Sequence, residues 1–203
     1  MISGNRISVP RALVWLGVIL MIGIAPVAAE DIAAENTLHE VMARLHDVKS
    51  ASGKFVEKKY LRILSEPLES SGTLVYTAPD RLEKNTSWPD TQSLIVVGDE
   101  LTIARDAGPP RTLKLAEHPE IEAFVESVRA TLAGNVDGLR RYYEVGLTGD
   151  TGHWTLSLRP TAKAMSDMIK AITLSGRDGL LQSVEINEAD GDRSVMTVTP
   201  NAP

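Results

Sequence analysis

Metal, nucleophile and phosphate chemistry each need particular side chains at particular spacings, and this chain of 203 residues offers few of them. Its histidines are His39, His46, His118 and His153. Only His39 and His46 fall on one expected helix, and at seven residues apart they miss the i, i+4 spacing that lets two imidazoles share an ion. Surface or cap histidines are the plainer reading. Asp190-Gly191-Asp192 has the residue types of a calcium loop, but an EF-hand loop needs about a dozen residues ending in Glu. A hairpin turn is expected there instead. Gly53-Lys54 lacks the upstream glycine of a phosphate-cradling loop, and no Gly-x-Ser-x-Gly elbow presents a serine. With no cysteine in the chain, thiolate nucleophiles, thiolate zinc sites, disulfides and the acylated Cys of a bacterial lipoprotein are all excluded. Carboxylates are scattered and single out no glycosidase-like pair. The expectation is therefore a protein with no catalytic residue, no metal and no cofactor, and not an enzyme.

Composition narrows the class further. The chain is 43% hydrophobic and 24% charged, values of a folding chain rather than a disordered one. Acidic residues outnumber basic ones, 27 to 21, so nothing favours nucleic acid as a partner. Arg6 and Arg11 precede an apolar run, Ala12–Ile24, too short for the roughly 20 residues of a membrane span. Pro26-Val27-Ala28-Ala29 follows with the small residues a signal peptidase accepts. Residues 1–29 are expected to be a signal peptide cleaved after Ala29, with an uncleaved anchor helix as the alternative, and residues 30–203 to form a single exported, periplasmic domain.

That domain opens with a helix. Thr37 and Glu40 have capping-box spacing, and Leu38, Val41, Met42, Leu45 and Val48 fall on one face. A second helix is signalled by Pro119 at its start, by the stripe Ile121, Phe124, Val125, Val128 and Leu132, and by Gly134 as terminator. The rest reads as about 11 short strands: an alternating run from Phe55 to Ile63, then Leu68–Tyr76, Arg81–Ser87, Thr91–Val97, Leu101–Arg105, Arg111–Leu115, Tyr142–Thr148, Trp154–Arg159, Ala171–Ser175, Leu180–Glu188 and Ser194–Thr199. Gly98-Asp99, Gly149-Asp150, Asp178-Gly179 and Asp190-Gly191 supply the hairpin chemistry. Thr161–Lys170 is a short helix or an irregular excursion. No βαβ alternation appears, so the sheet is expected to be antiparallel and to curl into a barrel or half-barrel.

The order of these elements from Thr37 to Thr199 resembles the LolA family of periplasmic lipoprotein carriers. Ala51-Ser52-Gly53-Lys54-Phe55-Val56-Glu57 stands where the family has a Phe-x-Gln strand, and Gly72-Thr73-Leu74-Val75-Tyr76 leads into a proline-centred turn. Ser93 to Leu101 is similar to the family's apolar hairpin, and Ile172-Thr173-Leu174, Arg177-Asp178-Gly179 and Val184-Glu185-Ile186 to its closing one. There are departures. The family's Pro-Gly-Arg-Phe-Arg-Trp stretch stands here as Pro79-Asp80-Arg81-Leu82-Glu83-Lys84, which keeps Arg81 but replaces the second Arg by Glu83 and the Trp by Lys84. Ala78 precedes the proline where the best-known carriers have Arg, and Glu57 replaces the Gln.

The resemblance implies an α+β fold in which a curved antiparallel half-barrel of about 11 strands is covered on its concave face by helices, enclosing an apolar cavity for acyl chains. Its lining is expected from Leu74, Tyr76, Leu82, Leu94 and Val96 on strands and from Val41, Leu45, Phe124 and Val128 on helices. Arg81 either holds a helical lid by bonding to its carbonyls or is a solvated strand residue, since parity is not set by the sequence. The implied cargo is an acylated lipoprotein or a lipid, taken by a monomeric carrier from an inner-membrane donor complex toward an outer-membrane acceptor. The alternative is a binding module for a non-lipoprotein lipid, glycolipid or pigment intermediate.

Overall fold

Alternating strands joined by tight turns bury one face each only if all of them share a ladder, and here they do. The computed structural model describes residues 27–106 and 108–201. The expected signal segment lies outside these, except for Val27–Ala29, which open the first helix. Eleven antiparallel strands form one sheet: β1 (Ser50–Tyr60), β2 (Leu68–Thr77), β3 (Arg81–Trp88), β4 (Gln92–Val97), β5 (Glu100–Arg105), β6 (Arg111–Lys114), β7 (Tyr143–Gly149), β8 (Trp154–Pro160), β9 (Ile169–Arg177), β10 (Leu180–Glu188) and β11 (Arg193–Pro200). Their order across the sheet is β6-β5-β4-β3-β2-β1-β11-β10-β9-β8-β7. One series of hairpins fans outward from β1 to β6, another from β11 back to β7, and the first and last strands pair in the middle. Because β6 and β7 remain edges, the sheet is open and curved, the half-barrel of an α+β fold.

Among the described residues four helices accompany the sheet: α1 (Val27–Asp47), α2 (Pro119–Leu132), α3 (Val136–Arg140) and α4 (Lys163–Ser166). A single 3₁₀ turn, Leu115–Glu117, leads into α2. The buried stripe of α1 is Leu38, Val41, Met42 and Leu45, packed with Tyr143, Leu156, Leu158, Ile172, Leu174 and Val184 of the C-terminal strands. A second, smaller core joins Val96, Leu101 and Leu115 to Val125 of α2. Helix α2 therefore lies between two cores and contributes to both, with Ala123 and Ala130 facing the first. Its ends are tied to different parts of the sheet. The Tyr143 hydroxyl donates to the Ala123 carbonyl at 2.9 Å, and Arg129 Nη1 donates to the Gly98 carbonyl in the β4–β5 turn at 2.6 Å.

Several local expectations are corrected. Thr37 is not an N-cap but lies inside α1, where its hydroxyl donates back to the Ala33 carbonyl at 2.9 Å, the bond of a threonine within a helix. Good helix formers before it, Ala33, Ala34 and Glu35, carry the helix further upstream. Strand β1 starts at Ser50 rather than Phe55, because β2 pairs with it from Ser50 and β11 from Gly53, although Ser50 to Gly53 show no apolar alternation. Helix α3 was not expected: five residues are too few for an apolar stripe, and its signal is the Asn135 side chain accepting from Gly138 N at 2.9 Å. Gly134 ends α2 as expected, with φ +65°, and a Cβ there would meet the Met42 carbonyl of α1 at 2.2 Å. Only glycine lets the two helices approach that closely.

Candidate functional site

Strand register lines up the concave face of β1 to β5 in rows. The first row is Ala51, Tyr76, Leu82, Val96 and Leu101, each opposite the next across the ladder. The second is Gly53, Leu74, Lys84, Leu94 and Ile103, and the third Phe55, Gly72, Thr86, Gln92 and Arg105. Beyond it Glu57 stands opposite Ser70. Reading along the strands, the face thus passes from apolar to polar within four rows. Ala51 and Gly53 are too small to fill the space above β1, and a Cβ at Gly53 would already meet the Thr199 carbonyl at 2.8 Å.

Under α2, the first two rows and the adjoining face of β10 and β11 enclose a cavity of about 470 Å³. Phe124, Val128 and Leu132 of α2 form its roof, and Met196 and Val198 of β11 its flank. It lies within the range of about 300–1,000 Å³ that small-molecule sites occupy. Of the residues expected to line a cavity, the structure brings together Leu74, Tyr76, Leu82, Leu94, Val96, Phe124 and Val128. Val41 and Leu45 are elsewhere, fully buried in the core beneath α1. Helix α1 packs its buried stripe onto the C-terminal strands, whereas the space under α2 runs from β1–β5 across β11 to Leu181, Val184 and Ile186 of β10.

Arg81 stands on the other side of the sheet. It alternates with Leu82, whose side chain lines the cavity, and its Nε donates to Glu83 Oε1 at 2.7 Å. Between β2 and β3, Thr77 pairs with Arg81 and Tyr76 with Leu82, so the Pro79-Asp80 turn does not bring Arg81 to the helix side. An arginine that does reach from helix to sheet is Arg129, bonded to the Gly98 carbonyl and to Glu126 of its own helix. No motif in the sequence marks it.

Two of the departures from the family pattern meet at the end of the cavity. Lys84 Nζ donates to Glu57 Oε2 at 2.5 Å, and Ser194 Oγ donates to Glu57 Oε1 at 2.6 Å. Lys84 also lies over the Phe55 ring, 5.0 Å from its centroid, where the ring's negative face attracts the ammonium. Burial by itself raises the Glu57 carboxyl, but the Lys84 charge and the bonds from Lys84, Ser194 and Ser70 outweigh it and hold the group below the usual carboxylate range. The Glu57 carboxyl is therefore ionised at neutral pH, a charge at the edge of an apolar space.

The acidic turn between β10 and β11 places carboxylates of Glu188, Asp190 and Asp192 within 4.8 Å of one another. Two of them hold the turn: Asp190 Oδ1 accepts from Asp192 N at 3.0 Å, and Asp192 Oδ1 from Arg62 N at 2.9 Å.

An open sheet with a roofed apolar cavity is the architecture of a binding protein. The family model described as outer membrane lipoprotein carrier protein LolA-like matches residues 28–202, and the chain belongs to that family. No curated protein matches it. Among solved structures it is similar to a LolA superfamily protein from Nitrosomonas europaea, at 10% identity and a TM-score of 0.42, covering 82% of this chain and 91% of that one. It is also similar to LprF from Mycobacterium bovis, at 15% identity and a TM-score of 0.36, covering 85% and 94%. A third likeness is to the MucA/MucB complex of Pseudomonas aeruginosa, at 15% identity and a TM-score of 0.42, where 84% of this chain spans 58% of that one.

Proposed function

We propose that this protein is a periplasmic carrier that binds the acyl chains of a lipoprotein or lipid in the cavity under α2 and moves them toward the outer membrane. The observation that carries the reading is the cavity of about 470 Å³, roofed by Phe124 and Val128 and floored by Leu74 and Leu94. Each methylene buried there is worth about 0.8 kcal/mol, so an acyl chain is held without any covalent step. Membership of a lipoprotein-carrier family supports the same reading.

Displacement of a fluorescent fatty acid from the purified protein tests it. Leu94→Glu and Phe124→Glu should each weaken probe binding at least tenfold, because a carboxylate forced into an apolar space costs several kcal/mol. Val56→Glu, at an exposed position on the opposite face of β1, should leave it unchanged. Folded Leu94→Glu and Phe124→Glu proteins that bind normally would place the acyl site elsewhere. Mass spectrometry of organic extracts from protein purified from its native periplasm then separates acylated peptides from free lipids.

A further inference from the structure

The apolar cavity is not the whole of the concavity. Beyond the Glu57–Lys84 pair lies a second, open pocket of about 480 Å³ that shares these two residues with the first. It is lined by Ser70, Thr86 and Gln92 and by the charged groups Asp90, Arg105 and Asp106. The two compartments meet along the strand direction, in the same order in which the rows turn from apolar to polar.

A partly buried ion pair is a costly way to end an apolar cavity, since two hydrophobic side chains of similar volume would stabilise the fold at least as well. Its position is that of a boundary. On the far side, Arg105 is hydrogen-bonded to a neutral partner: with the Gln92 amide turned to satisfy both groups, the amide oxygen accepts from Arg105 Nε at 3.0 Å and Nη2 at 3.2 Å. Among the described residues no carboxylate lies within ion-pair distance of this guanidinium, whose charge is open to an anion. Asp90 and Asp106 border the same space and suit a cation.

We propose that the two compartments form one site for an amphiphile with a zwitterionic phosphate-ammonium head. This rests on the acyl-carrier reading and adds the class of head that the site selects. The tail occupies the apolar cavity; the phosphate faces Arg105, whose planar fork suits phosphate oxygens. The ammonium faces Asp90 and Asp106, and the Glu57–Lys84 pair marks the junction. Phosphoethanolamine on a diacylglycerol is the chemistry that matches.

The test is competition against a bound fluorescent fatty acid by three lipids of identical acyl chains: diacyl-phosphoethanolamine, diacyl-phosphoglycerol and diacylglycerol. The phosphoethanolamine lipid should compete about tenfold better than either other, the ratio one charge-assisted hydrogen bond carries. Arg105→Leu should lower its advantage over diacylglycerol, and Asp90→Asn with Asp106→Asn its advantage over the phosphoglycerol lipid. Because the fatty acid carboxylate also faces Arg105 when the tail fills the apolar cavity, the three lipids are ranked against one another within each variant. Equal competition by all three lipids, or discrimination that survives both variants, overturns the head assignment while leaving the acyl site intact. Failure of the wild type to bind the fatty acid probe overturns the carrier reading and this inference together.

Discussion

Removing Lys84 isolates the charge on Glu57, and the consequence is calculable. Breaking a fully buried ion pair by deleting one partner costs about 3–5 kcal/mol. The two side chains keep 25% and 18% of their exposure, and Ser194 and Ser70 still donate to the carboxylate in a Lys84→Met variant. We therefore expect a loss of about 2 kcal/mol at neutral pH, or about 4–8 °C in Tm for a chain of this length. Glu57→Gln should cost less, because the amide oxygen still accepts from Ser194 and the ammonium retains the Phe55 ring. Combining the two should restore stability to within about 1 kcal/mol of wild type, since neither charge is then unpaired. Urea unfolding of the four proteins at pH 7 measures the cycle. A Lys84→Met loss under about 0.5 kcal/mol, or a double variant as unstable as the two singles summed, would refute the argument that the pair is electrostatically coupled within a poorly solvated site.

Glu57 also sets a pH dependence. Its carboxyl is held below the unfolded value, so its contribution is complete above the ordinary carboxylate range and is lost as the pH falls through the folded value; Glu57→Gln should flatten that acid limb in unfolding experiments. Arg129→Leu removes the bond from α2 to the Gly98 carbonyl and should speed release of an acyl probe severalfold in stopped-flow displacement, whereas Arg81→Leu, on the far face of the sheet, should leave the rate unchanged. N-terminal sequencing of protein from the periplasmic fraction should begin at Glu30, and recovery from membranes with Met1 intact would contradict export by cleavage.

The amino-acid sequence determined the local elements, because their signals are local. The Gly and Asp turns delimit eleven strands, and Pro119, the apolar stripe and Gly134 bound α2 nearly to the residue. Where local signals are weak or ambiguous they mislead: Thr37 mimics a cap inside α1, and Ala51 and Gly53 show no apolar alternation although they lie on the floor of the site. Strand count and the absence of crossovers leave barrel and half-barrel open, and it is the resemblance to the LolA family that implies the half-barrel. Which strands pair was not legible, since the contact of β1 with β11 joins residues at opposite ends of the chain and no neighbouring sequence encodes it. The same holds for the site. Leu74, Leu94 and Phe124 are legible as inward-facing apolar residues, but so are Val41 and Leu45, and periodicity is identical for a side chain packed in a core and one bordering a gap. A cavity is a deficit of volume, fixed only by how α1 and α2 together cover the concavity. Likewise Arg81 and Lys84 are three residues apart on one strand, and only the register around the Pro79-Asp80 turn sends the first to the far face and the second to Glu57, because every odd displacement along a strand reverses the side chain.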